Sequence, residues 1–260
     1  MSDEESLQLL QKDICTTSPA ADVQALISEL EHIPLAISQA NAYIRQGEPS
    51  MTISEYLSLF QRGDTYRLKL LEKDTPDMRR DTRAIHAITR TWEISFQQIR
   101  KEHSEAASLL SLMCYFYRKN IPKYLLENDE DPLAFADGIG PLLGFSFVQM
   151  EKDHGAFEIH RLVQIATRKW LERDQQHLIW ERNAIQKVSE SLPVGKFMNW
   201  VICEELKPHA DEVLQYKIEE NDVKLLQAQI NYNKAWYLIE RGEYQSAQHA
   251  VLRALEIRRE

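Results

Sequence analysis

The chain has 260 residues, 43% of them hydrophobic, which is enough for a substantial core and suggests roughly two domains. A net charge of −9 is a poor foundation for nucleic-acid binding, where affinity comes largely from neutralised phosphates. Three dispersed cysteines (Cys15, Cys114 and Cys203) give neither a disulfide framework nor a paired metal site, and the scarcity of Gly (8) and Pro (9) favours helices joined by short loops.

In chain order, residues 3–14 read as a short helix with Leu7, Leu10 and Ile14 on one face. Ser18-Pro19 supplies an N-cap and a first-turn proline for a helix carrying Val23, Leu26, Ile27 and Leu30. Pro34 opens the next helix, with Leu35, Ile37, Ala40, Tyr43 and Ile44 apolar and Gly47 placed to end it. Thr52-Ile-Ser-Glu55 is a capping box, followed by the stripe Tyr56, Leu57 and Phe60 and by Gly63 as a stop. Residues 64–82 are charged, contain Pro76 and read as a partly helical connector.

Residues 83–101 form a helix with Ile85, Ile88, Trp92, Phe96 and Ile99 at helical spacing. Ser104 caps another, in which Ala107, Leu110, Met113 and Tyr117 mark the most hydrophobic stretch of the chain. After a helix near 132–143, the pattern changes to strict alternation in Phe145–Met150 and Ala156–Ile159, separated by the turn-rich Lys152-Asp-His-Gly155. That is a β-hairpin, with a helix from His160 to Arg173 after it. Helices, a small hairpin wing and a following helix describe a winged-helix module. Helices at 175–191, 198–216, 222–241 and 243–258 complete the chain, with Pro193 and Gly195 breaking the pattern. The expected fold is all-α with one small β-hairpin.

Near the C-terminus, Gly242, Tyr244, Ala247, Ala254 and Leu255 follow the spacing G-x-Y-x-x-A-x-x-x-x-x-x-A-L, with Ala235 and Leu238 upstream. Gly242 would end one helix, Tyr244 fill the gap between two antiparallel helices, and the alanines permit close approach. Residues 228–260 resemble one tetratricopeptide repeat, departing at Lys234, where the motif carries a large apolar residue. A lone repeat cannot bury its apolar faces, so the helices at 175–216 or further repeats would have to cover it.

Three more segments point the same way. Leu30-Glu-His-Ile-Pro-Leu-Ala-Ile-Ser-Gln-Ala-Asn-Ala-Tyr-Ile44 resembles the helix entry of the NB-ARC region of signal-transduction (STAND) ATPases, the class that includes fungal and plant NOD-like receptors. Thr91-Trp-Glu-Ile-Ser-Phe96 is similar to the segment that opens their winged helix. Phe157-Glu-Ile-His-Arg-Leu-Val-Gln164 is similar to the segment at its end. The resemblance implies an ARC-like helical region at 1–82, a winged-helix region at 83–174 and a repeat-like region at 175–260. It also implies that Pro34 would pack on the adenine and His160 would touch the terminal phosphate of ADP when a nucleotide-binding core is present.

That core has no counterpart here. The sequence holds no G-x-x-x-x-G-K-S/T phosphate loop. Its one glycine cluster, Gly138-Ile-Gly-Pro-Leu-Leu-Gly144, has the wrong spacing, a proline without an N–H, and no preceding strand, and reads as the bend before the wing. Met1 falls near where the family's nucleotide-binding fold ends.

Other chemistry is weak. His154 and His160 lack a third ligand, and Glu102, Glu105, Glu127 and Asp129–Asp131 read as solvated faces. Arg161, Arg168, Lys169 and Arg173 could present a basic face to DNA, but Glu172, Asp174 and the overall charge oppose it. Leu109–Tyr117 is about half the ~20 residues that a membrane span needs, and the acidic start is unlike a signal peptide. The sequence therefore reads as a cytoplasmic, non-catalytic regulatory and protein-interaction portion of a STAND protein. It would have no cofactor of its own, and its partners would be proteins: a nucleotide-binding domain or a second copy. A stand-alone tetratricopeptide scaffold is the alternative, and a winged-helix DNA binder the more remote one.

Overall fold

A computed structural model describes residues 2–12, 14, 18–30, 32–62, 82–127, 132–151 and 155–259. Cys15, Gly63, the connector at 64–81, Asp129–Asp131, His154 and the side chains of Ile85 and Ile88 lie outside the described residues. Thirteen helices and one small sheet make up the described chain, so the fold is all-α with a minor β element. Two compact units form: Met1–Ser108, Leu133–Gln149 and His160–Lys169 make one, and Leu109–Pro132, Met150–Ile159 and Trp170–Glu260 the other.

The first unit is organised by α3 (Pro34–Gly47), which packs against α1 (Asp3–Leu10), α4 (Ile53–Arg62) and α5 (Thr82–Glu102); α2 (Ala20–Glu29) lies on α1 and α4. Pro34 sits in the first turn of α3 after the extended Ile33, where its missing N–H costs nothing. Capping boxes start α1 and α4. Ser2 and Glu5 exchange hydrogen bonds, as do Thr52 and Glu55, where the Glu55 N–H donates to Thr52 Oγ1 at 3.2 Å and the Thr52 N–H to Glu55 Oε2 at 2.7 Å. At α2 the cap position falls on Pro19, which offers no side-chain bond, rather than on Ser18. Tyr43, Tyr56, Phe60 and Phe145 form a tilted aromatic cluster, with Tyr43 and Tyr56 centroids 5.4 Å apart. Trp92 and Phe96 stack at 4.8 Å along α5.

The end of α1 depends on a residue that looks misplaced in the sequence. A helix leaves its last carbonyls without intrahelical donors. Asn41, buried on α3, turns its amide nitrogen to the carbonyls of Leu10 (2.7 Å), Lys12 (2.6 Å) and Leu9 (3.4 Å). Two residues earlier, the buried Gln39 accepts from the Thr91 hydroxyl at 2.7 Å and ties α3 to α5.

The second unit is built on α10 (His177–Ser191), α11 (Trp200–Val213) and α12 (Asn221–Glu240), with α13 (Tyr244–Arg259) laid along α12. The same device recurs. Asn233 of α12 donates to the carbonyl of Leu192, the C-cap of α10, at 2.8 Å. Gln227, also of α12, donates to the carbonyls of Tyr216 (3.0 Å) and Val213 (3.3 Å) after α11. At the end of α12, Gly242 adopts φ +79°, and the N–H groups of Gly242 and Glu243 return to the carbonyls of Ile239 and Leu238. That closure needs a left-handed residue, which glycine supplies without a Cβ penalty.

The sheet runs β1-β3-β2, with β1 (Ile121–Pro122), β2 (Val148–Met150) and β3 (Ala156–Ile159). The hairpin gains a third strand that periodicity could not show, since β1 is two residues long and contains a proline. Proline is tolerated there because β1 is an edge, antiparallel to β3 with Ile121 opposite Phe157. A short helix, α7 (Lys123–Leu126), follows it. Around the glycine cluster, the expected bend is a helix. Gly138–Gly144 belongs to α8 (Pro132–Gly144), and the reversal comes later at Ser146, φ +57°. Of the remaining helices, α6 (Ser104–Met113) is shorter than its apolar run, and α9 (Arg161–Arg173) follows β3.

His209 of α11 is fully buried, its Nε2 3.0 Å from the carbonyl oxygen of Asn120 and its ring edge-on to Phe116 and Tyr117. Burial holds the imidazole below its usual pKa, against the smaller opposing effects of the Asn120 carbonyl and Glu212.

Two outcomes are expected. Asn41→Leu leaves buried carbonyls unpaired and should cost about 1–3 kcal/mol in urea unfolding. Because folded His209 resists protonation while the unfolded chain accepts a proton near the ordinary histidine value, stability should be full above that value and decline as pH falls through it. Urea melts of the parent and His209→Gln between pH 7.5 and 5.5 check this, with the shallower decline expected in the variant.

Candidate functional site

The residues singled out by motif fall in both units. Pro34 is exposed at the start of α3. His160 is exposed immediately before α9, its Nδ1 accepting from the Leu162 N–H at 3.2 Å, so that the imidazole caps the first turn. The Gly138–Gly144 segment makes no phosphate cradle: its glycines lie in a helix and Pro141 carries no N–H.

On the helix pair, Ala235, Leu238, Ala247 and Ala254 are buried, joined by Ala250, which the motif reading did not include. Tyr244, expected between the two helices, is instead 69% exposed, and Leu255 is also exposed. Alanines are the buried residues of α13 along α12, Arg258 lies over the Tyr232 ring at 5.9 Å, and the Tyr244 ring at the first residue of α13 is left exposed. Lys234, the departure from the motif, forms an ion pair with Asp211 of α11.

The second unit also holds an open cleft of about 880 Å³. One wall comes from the sheet side, with Tyr117, Asn120 and Glu151; the other is the first half of α11, with Trp200, Val201, Glu204 and Glu205; Tyr237 and Arg241 of α12 close it. The α11 wall is held by a tight loop. A Cβ on Gly195 would lie 2.2 Å from the backbone nitrogen of Tyr237 and 2.3 Å from its Cα, so only glycine allows the loop to meet α12 backbone to backbone. The carbonyl of Gly195 accepts from Trp200 Nε1 at 3.2 Å, and that of Val194 from Asn199 Nδ2 at 2.9 Å. Trp200 is thereby fixed as a wall, and the Arg241 guanidinium lies over its ring at 5.1 Å.

Neutral donors hold the carboxylates of the cleft. The Tyr237 hydroxyl donates to Glu204, and burial followed by that hydrogen bond pushes the phenol up to about 12. The Tyr124 hydroxyl donates to Glu205 at 2.8 Å and is likewise raised, chiefly by burial. Asn120, with its amide nitrogen turned to Glu151, donates to both carboxylate oxygens at 2.6 and 2.8 Å. Cys203, behind this wall, is a buried thiol raised by desolvation, its Sγ 3.7 Å from the Pro193 carbonyl. Among the described residues no His/Cys/Asp/Glu cluster could hold a metal ion. Sequence reading did not single out this cleft. Its signal was the apolar run from Phe197 to Ile202 beside the Pro193/Gly195 break, which reads equally well as core.

The whole chain is similar to part of an NLR-like protein. It is 32% identical over 268 residues to a "nucleotide-binding leucine-rich repeat (NLR)-like protein" of Hyaloscypha variabilis. All of this chain is matched, but it spans only 26% of that protein. Residues 97–176, from the second half of α5 to the residue before α10, match a family described as a domain of unknown function, DUF7779. Among the described residues no helix is long and apolar enough to cross a membrane.

The Gly195 approach yields a direct expectation. Gly195→Ala should destabilise the protein by about 3 kcal/mol or more, since neither backbone can yield without repacking. It should also red-shift Trp emission as the Trp200 wall loosens, which thermal unfolding and fluorescence spectra would show together.

Proposed function

We propose that this chain is a regulatory, protein-interaction portion of an NLR-type signalling protein and does no catalysis itself. The observation that carries the reading is the similarity over the entire chain to a segment of a nucleotide-binding NLR-like protein, in a chain that contains no phosphate loop of its own. The all-helical architecture supports it, because paired helices offer broad surfaces for other proteins. The burial of Ala235, Leu238, Ala247 and Ala254 supports a tetratricopeptide-like role for α12 and α13. The DUF7779 match supports treating the region around the small sheet as one element, read here as the winged helix.

In this reading the chain works in the cytoplasm and its partner is a nucleotide-binding domain, with self-association following release. Pro34 and His160 are both exposed, and they would be this chain's contribution to an ADP-bound closed state. Closure of this kind is a two-state equilibrium biased by the bound nucleotide, and a histidine at the contact makes it sensitive to phosphate charge.

Calorimetry tests the reading. The chain titrated with ADP and magnesium should show no binding. Mixed with the nucleotide-binding part of the Hyaloscypha relative, it should associate more tightly with ADP than without. His160→Ala should weaken the ADP-dependent step by about fivefold or more. Tight ADP binding to the chain alone, or association indifferent to ADP, would contradict it.

A further inference from the structure

The cleft of the second unit opens beside an apolar lip that stands exposed among the described residues. Phe197, Met198 and Val201 are 78%, 82% and 80% exposed, and Ile202 is exposed beside them. They lie on the 3-10 turn Phe197–Asn199 and the first turn of α11, and Phe197 packs edge-on against Trp200 at 5.0 Å. Scattered exposed apolar side chains are ordinary, but four within six residues, with Val201 among them lining the cleft, are the signature of an interaction site.

Charge identifies the occupant. Glu151, Glu204 and Glu205 line the cleft, and each is oriented by a neutral donor: Asn120, Tyr237 and Tyr124. Those donors fix the carboxylates without cancelling them, and among the described residues none of the three forms an ion pair. The two cations of the cleft, one of them keeping its full charge, are fewer than its three carboxylates. Lys119 pairs with Glu158 at 3.7 Å and Arg241 lies on Trp200. An apolar lip over an acidic floor suits a ligand with apolar anchors flanked by positive charge.

We propose that this cleft seats a basic amphipathic segment of a partner protein, its Leu-, Ile- or Met-like anchors against Met198 and Val201 and its Lys or Arg side chains facing Glu151, Glu204 and Glu205. The cleft lies wholly in the second unit, whereas Pro34 and His160 lie in the first. Peptide capture here and the ADP-dependent association above therefore succeed or fail separately.

Fluorescence anisotropy of the full chain tests it, using a short fluorescein-labelled helical peptide of leucine and lysine and its leucine–glutamate counterpart. The lysine probe should bind, and the glutamate probe roughly tenfold more weakly or not at all. The double variant Met198→Ser, Val201→Ser, at exposed positions, should lose roughly tenfold in affinity for the lysine probe with its melting temperature unchanged. Should that variant fail to fold, Phe197→Ser carries the same expectation. Glu204→Gln should also weaken the lysine probe and flatten its salt dependence. Equal binding of both probes, or affinity unchanged in the lip variants, overturns the proposal. So does self-association in light scattering that the lip variants abolish, which would assign the face to a second copy. Binding of phosphatidylserine vesicles in place of the peptide would overturn it in favour of a lipid surface.

Discussion

The two units depend on one kind of contact: a buried carboxamide on a central helix that donates to the unpaired carbonyls at the end of a neighbouring helix. Asn41 does this for α1, Asn233 for α10 and Gln227 for the end of α11. A helix terminus in water satisfies its last carbonyls with solvent. Where that terminus is buried against another helix, water is excluded and a donor must come from the protein. A carboxamide is suited to this because it brings two N–H donors without a charge to desolvate. Each bond fixes both the length of one helix and its register against the next, which apolar packing alone does loosely.

That constraint leads to the cleft. With α12 locked to α10 and α11 through Asn233 and Gln227, the loop between α10 and α11 is drawn onto α12, and Gly195 lets the backbones meet. The loop carbonyls then accept from Asn199 and Trp200, which set the start of α11 and present Phe197, Met198 and Val201 outward. Exposure of this lip follows from how the helices around it are joined, and the carboxylates beneath it are oriented by phenols and an amide of the same unit.

Most helix boundaries were legible because their signals are local. Pro34 opens α3, Thr52 and Glu55 close a capping box, and Gly242 reverses the chain after α12. What was not legible has a common cause. Asn41, Gln39, Gln227 and Asn233 are polar residues that periodicity assigns to a solvent face, yet all four are buried, since their partners lie elsewhere in the sequence: carbonyls for Asn41, Gln227 and Asn233, and the Thr91 hydroxyl for Gln39. Strand β1 escaped notice because it exists only through its pairing with β3. The cleft escaped because the Phe197–Ile202 run has the composition of core, and only the fold turns it to solvent. Tyr244 failed in the opposite sense: a motif position assigned to an interface lies outside it. Pro34 and His160 were found by resemblance alone, and both stand on the surface, where a partner domain could reach them.

Under the proposed function, the chain would have to be rigid enough to hold a surface and still part from its partner. Carboxamide caps suit that requirement, because they stiffen helix ends without the large desolvation cost of buried ion pairs. Hydrogen exchange measured by mass spectrometry on Asn233→Leu beside the parent tests this most directly. Faster exchange confined to the last turn of α10 and the Pro193–Lys196 loop, with α13 unchanged, is the result the account predicts. Exchange unchanged at the end of α10, or accelerated evenly across the unit, would contradict it.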